Sequence, residues 1–235
     1  MRIMSEVYWE QGGRSVNQDS LTLQQAFTRR GRVMLAVVSD GIGGLMEGEN
    51  ASGFVTERLT ECFYKRLAPL AGRGKGRKAL QRCLLRCFYE MNQELRRYGE
   101  GREIRLGATV SLLFLWKKRY LLFHLGDSRV YLCRKGTGRL LTRDHVSGGG
   151  ITRCMGSFPF QYPDIAWGRI RRGSGFLLCT DGFYRSFDGR QWQVLSPRDI
   201  GSGDQIRRRL RELGAMAIRS GERDNLSAVY AVVCG

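Results

Sequence analysis

An apolar run that ends on an acid followed at once by a glycine constrains this chain more than any other feature. Val33 to Val38 is unbroken apolar sequence and reads as a buried strand. Asp40 stands at its end, Gly41 follows, and Gly43 and Gly44 let the backbone turn before a helical stretch. One Asp-Gly pair alone is an ordinary turn. Here the pattern recurs. Phe176 to Thr180 ends in Asp181-Gly182, and Asp127 follows the apolar Tyr120 to Leu125. Asp224 immediately precedes the stretch leading into Ala228 to Val233. Four acids at strand ends are expected to converge, and clustered carboxylates suit hard divalent cations such as Mg2+ and Mn2+.

The chain has 235 residues, enough for one domain with a substantial core. A hydrophobic fraction of 42% fits a globular protein. No apolar run approaches the roughly 20 residues that cross a bilayer, and Met1 to Gln11 lacks the apolar core of a signal peptide, so a cytoplasmic location is expected, with no membrane segment. Seven scattered cysteines form no Cys-x-x-Cys pair and only two histidines are present, which disfavours zinc and favours reduced core thiols. Thirty-nine basic against 22 acidic residues give a net charge of +17, which favours anionic partners. The charge forms no dominant block and accompanies no nucleic-acid motif, so no specific nucleic-acid site is expected.

Taken in order, Val7 to Glu10 reads as a strand leading into a polar loop with Arg14, Asn17, Gln18 and Asp19. Arg14 offers a planar fork for a phosphate, and Asp19 suits a metal-bound water. Leu21 to Phe27 and Val33 to Val38 read as paired strands. Phe54 to Leu67 carries helical spacing closed by Pro69, and Leu80 to Leu95 a second helix. Ala108 to Trp116 and Tyr120 to Leu125 form a predicted hairpin, followed by Val130 to Arg134 and a tight turn at Gly136-Thr137-Gly138. Trp167 to Ile170 and Gly175 to Thr180 are expected to pair around Arg171-Arg172-Gly173. An Arg-rich helix, Gln205 to Ile218, and the strand Leu226 to Val233 close the chain. Stacked, mostly antiparallel sheets with helices outside account for this order. The regular βαβ alternation of a dinucleotide-binding sheet is missing.

These motifs, in this order, resemble the metal-dependent protein phosphatase family of type 2C, particularly its small bacterial members. The matching segments are Arg14-x-x-Asn17-Gln18-Asp19-Ser20, Ser39-Asp40-Gly41-Ile42-Gly43-Gly44, Gly48-Glu49-x-Ala51-Ser52 and Gly107-Ala108-Thr109. They continue with Leu125-Gly126-Asp127-Ser128-Arg129, Leu141-Thr142-x-Asp144-His145, Cys179-Thr180-Asp181-Gly182 and Asp224-Asn225-Leu226-Ser227. The resemblance implies an α+β fold, a four-layer α-β-β-α sandwich formed as one domain over 1–235. It also implies hydrolysis of phosphoserine and phosphothreonine esters in phosphoproteins, opposing a serine/threonine kinase, by water activated on two Mn2+ or Mg2+ ions. By the match Asp40 bridges the two ions and the Gly41 carbonyl binds one. Asp181 and Asp224 complete the first ion's shell, Asp19 holds water, Arg14 binds the substrate phosphate, and Asp127 falls on a third-metal ligand. Asn225 is expected to orient the neighbouring aspartate or a metal water.

Three departures stand out. Arg185 occupies the last position of Asp181-Gly182-x-x-Arg185, where the family usually carries an acid, which makes the third metal doubtful. Only Val146 to Ile151 separates His145 from Thr152-Arg153-Cys154-Met155-Gly156, so the family's flap is much reduced. Ile42 stands where some relatives carry a histidine, and His145 is expected to be structural. An active phosphatase is the favoured expectation, and a catalytically weak or inactive regulatory module of the same fold is the alternative.

Overall fold

The computed structural model describes residues 2–42 and 47–234, so the expected Gly43-Gly44 turn lies outside the described residues. Within β3 (Gly31–Asp40) alternate side chains face opposite ways: Val33, Leu35 and Val37 enter one apolar cluster, Met34, Ala36 and Val38 another. A strand covered on both faces needs apolar residues at every position, which is why the sequence is an unbroken run rather than an alternating one. β11 (Ser174–Cys179) behaves alike, with Phe176 and Leu178 on one side and Leu177 and Cys179 on the other.

Two five-stranded antiparallel sheets result. One has β1 (Ile3–Glu10), β12 (Leu226–Val233), β11, β6 (Arg129–Arg134) and β7 (Thr137–Leu140) in that order. The other runs β10 (Asp164–Arg169), β5 (Arg119–Leu125), β4 (Val110–Trp116), β3 and β2 (Asp19–Thr28). Their inner faces meet through Met34, Leu113 and Leu115 against Phe176, Val229 and Ala231. Outside the second sheet lie α1 (Gly48–Cys62) and α3 (Arg77–Glu100), packing Val55, Leu59, Leu84 and Phe88 onto Leu35, Phe114 and Phe123. Outside the first lies α6 (Gly203–Arg219), burying Ile206 and Leu210 against Leu177 and Tyr230. Its N-terminus is capped by the Ser202 hydroxyl, which accepts from the Gln205 amide at 3.3 Å. The α-β-β-α sandwich is therefore the observed architecture. No helix among the described residues is long and apolar enough to cross a membrane.

Three local expectations are corrected. Pro69 does not close the first helix. A π-helical turn, Phe63–Leu67, leads without a break into α2 (Ala68–Gly72), and Pro69 lies in the first turn of α2. β10 and β11 do not pair with each other. The chain crosses between sheets at buried Ile170, so β10 pairs with β5 and β11 with β6 and β12. Gly136-Thr137-Gly138 is not all turn, since Thr137 already begins β7 and the positive-φ residues are Lys135 and Gly136. The reduced flap is a hairpin of two short strands, β8 (Val146–Ser147) and β9 (Gly150–Ile151).

Candidate active site

Register brings the first two acids together. Asp19 opens β2 and Asp40 closes β3, and the two are direct cross-strand partners. Two carboxylates facing each other in a sheet repel, so this pairing costs stability unless positive charge compensates it. The end of β3 is fixed by β4's leading segment. The Asp40 amide donates to Thr109 Oγ1 at 2.9 Å, the Thr109 amide donates to the Asp40 carbonyl at 2.8 Å, and Ser39 Oγ donates to the Thr109 carbonyl at 2.7 Å. Gly41 must be glycine: a Cβ there would stand 2.3 Å from the Gly48 carbonyl oxygen at the start of α1.

The other sheet delivers its acids to the same end. β11 runs out at Cys179, and Asp181 begins the short helix α4 (Asp181–Tyr184). Asp224 precedes β12. Asp127 lies in the turn between β5 and β6, where the Tyr184 hydroxyl donates to its carbonyl at 3.0 Å. Arg14, Asp40, Gly41, Asp127, Asp181 and Asp224 line one cleft of about 660 Å3, with Gly149, Gly150 and Ile151 of the β8–β9 hairpin on its rim. Asp19 stands behind them, 2% exposed, with Oδ2 accepting from the Thr180 hydroxyl at 2.8 Å.

Positive charge enters from two arginines. Arg14 grips Asp224 through two parallel bonds, Nε to Oδ1 at 2.9 Å and Nη2 to Oδ2 at 3.0 Å. Arg185 donates to Asp181 and, through Nη1, to Asp224 at 3.1 Å, with Glu222 3.8 Å away. Burial would raise Asp224, but the bonds from Arg14 and Arg185 hold it below the usual carboxylate range. The rest of the cluster is crowded instead. Burial, with the charges of Asp19, Asp181 and their neighbours, pushes Asp40 well up. Burial pushes Asp19 to about 7 and Asp181 to about 6. Asp127 is raised by burial too.

Such a set is an oxygen-only cradle short of positive charge. Among the described residues no three of the His, Cys, Asp and Glu side chains converge closely enough to cage an ion as they stand, and Arg14 and Arg185 bond to the carboxylates of Asp181 and Asp224. The residues nonetheless fit hard divalent cations. Asp19 Oδ1 and Asp127 Oδ1 are buried without a hydrogen-bond partner, and every donor is oxygen.

The remaining expectations divide. Asn225 orients the neighbouring aspartate through its backbone amide, which donates to Asp224 Oδ1 at 3.0 Å, while its side chain serves the adjoining loop. Its Oδ1 accepts from the Gln18 amide, and its Nδ2 donates to the Gln11 and Val16 carbonyls, pinning the loop that carries Arg14. His145 is structural, with Nδ1 accepting from the Gly126 amide and Nε2 facing Asp164 at 3.2 Å. Thr180 and Glu222 contribute where sequence reasoning assigned nothing. Thr180 carried a signal, its place beside Asp181, whereas Glu222 carried none.

The protein phosphatase 2C family profile matches residues 11–216, and the chain belongs to that family. A serine/threonine phosphatase, stp, of Listeria welshimeri is 28% identical over 122 residues, 51% of this chain and 46% of that protein. The chain thus spans about half the length of that relative. A putative protein phosphatase 2C-type of Streptococcus pyogenes is 28% identical over 236 residues, covering 91% of this chain and 90% of that one. The solved structure of the serine/threonine phosphatase Stp1 from Staphylococcus aureus superposes with a TM-score of 0.85 at 22% identity, covering 100% of this chain and 96% of that one, and shares the fold.

Proposed function

We propose that this chain is a protein serine/threonine phosphatase that hydrolyses phosphoserine and phosphothreonine esters in proteins phosphorylated by a serine/threonine kinase. One observation carries the reading. Four separated segments bring Arg14, Asp19, Asp40, Asp181 and Asp224 to one end of the sandwich, four of these residues lining a single cleft and Asp19 directly behind it. Family membership over residues 11–216 supports it. Two Mn2+ or Mg2+ ions, held by Asp40, the Gly41 carbonyl, Asp181 and Asp224, would supply an activated water and neutralise phosphoryl charge. Arg14 would release part of its hold on Asp224 to clamp the phosphate oxygens, since its fork matches two oxygens at once. Asp19, held by Thr180, would accept a proton from ordered water through its unpartnered Oδ1. Asp127 would serve a third ion only weakly. The two sheets share one inner core, which supports a single domain over 1–235. The seven free thiols support a reducing, cytoplasmic setting.

The test is phosphate release from a phosphothreonine peptide and its phosphotyrosine counterpart with Mn2+, with Mg2+ and with chelator. Release that needs the cation and prefers phosphothreonine is expected. Release indifferent to chelator overturns the reading.

Arg185 favours a second reading, a catalytically weak module, because its guanidinium already bonds to Asp181 and Asp224. Calorimetric Mn2+ titration separates the two. Under the second reading Arg185→Ala tightens Mn2+ binding about tenfold or more and raises turnover with it. Unchanged affinity removes the case for it.

A further inference from the structure

The end of the sandwich opposite Asp40 carries a second large cleft, of about 940 Å3, built from three chain turns. β2 and β3 each run ten residues from the acid pair to this end, about 30 Å at strand rise. The β2–β3 turn supplies Arg30 and Arg32, and the β4–β5 turn supplies Lys117, Lys118 and Arg119. The crossing from β10 to β11 adds Arg169, Arg171 and Arg172. No acidic residue lines the cleft, and none of these eight cations enters an ion pair among the described residues.

The arrangement is held against its own electrostatic cost. Arg119 and Arg169 are direct cross-strand partners, a like-charge pair that destabilises a sheet. Lys117 adopts φ 53°, a left-handed conformation that glycine or asparagine takes more readily. The like-charge repulsion falls when an anion fills the cleft. The floor is different in character: Ile170 and Val233 are buried and apolar.

We propose that this cleft is a docking site for an extended acidic segment of a partner protein. Three features choose that occupant. A cationic rim around an apolar floor suits a chain carrying carboxylates with an occasional apolar side chain. The site is concave, which suits an inserted chain better than a flat membrane. No aromatic side chain lines it, and single-stranded nucleic acid relies on such platforms for stacking. The proposal does not depend on the phosphatase reading, because it concerns binding alone.

Fluorescence anisotropy of a labelled decaglutamate peptide near physiological salt tests it. Lys118→Glu with Arg171→Glu, both exposed, should weaken binding about tenfold or more. Arg82→Glu with Arg208→Glu makes the same change in net charge on exposed helix positions and should leave binding within about twofold. Circular dichroism confirms that both proteins remain folded. Equal losses in the two double variants overturn the proposal, since net charge then explains everything. No binding by the wild type overturns it as well. So does tighter binding of a thymidine decamer or of phosphatidylserine vesicles that the Lys118/Arg171 variant alone loses.

Discussion

Arg14 reaches the cleft from a loop and holds Asp224 with both arms of its guanidinium, though the side chain is 59% exposed. A phosphate ester offers the same two-oxygen geometry as that carboxylate. Arg14→Ala should therefore lower kcat/KM on a phosphothreonine peptide about 10- to 100-fold, and Arg14→Lys should recover only part, since an ammonium cannot make two parallel bonds. Steady-state kinetics of both variants check this. His124 is a different kind of buried group. Its Nε2 donates to the Arg143 carbonyl at 3.0 Å, and its Nδ1 lies 2.9 Å from the Ser111 hydroxyl, which also reaches the Ser128 carbonyl at 3.0 Å. Burial, with His145 beside it, lowers it to about 4. The unfolded chain takes up that proton near 6.5, so the stability is complete above about 6.5 and lost as pH falls toward 4, by about 3 kcal/mol. The raised Asp19 and Asp181 work in the opposite sense, which makes the comparison with a variant necessary. Urea unfolding from pH 7 to 4 should show a shallower decline in His124→Gln than in the wild type.

At the scale of elements, the meeting of β3 with α1 is the tightest joint near the site. Gly41→Ala puts a methyl group against the Gly48 backbone. It should cost about 2–3 kcal/mol, or about 5–10 °C in Tm for a chain of this size, by calorimetry. The elements that could be read from sequence were those whose pattern follows from burial on both faces, as in β3 and β11. β7 could not, because Thr137 and Gly138 have turn composition and pair through their backbones with β6. Gly138 is small because the Trp192 ring lies where a side chain would go. The partners of β10 and β11 were hidden for another reason. Neighbours in sequence suggest a hairpin, and only the burial of Ile170 between the sheets sends the two strands apart.

Over the whole molecule, the two sheets deliver acids to one end and cations to the other. The acids were legible because each stands where an apolar strand begins or ends, a position set by local sequence. Their neighbours were not. The bonds of Arg185 to Asp181 and Asp224, the approach of Glu222 and the pinning role of Asn225 depend on how α4, β12 and the Arg14 loop come together in space. The eight-cation cleft was hidden in the same way, spread over three turns far apart in the chain. Phosphate release from a phosphothreonine peptide with saturating Mn2+, wild type against Asp40→Asn, bears most directly on the acid end. Turnover in the wild type that falls by about 1,000-fold or more in Asp40→Asn, with the fold intact by circular dichroism, is the expected result. Equal turnover in the two proteins would contradict the placement of catalysis in this cleft.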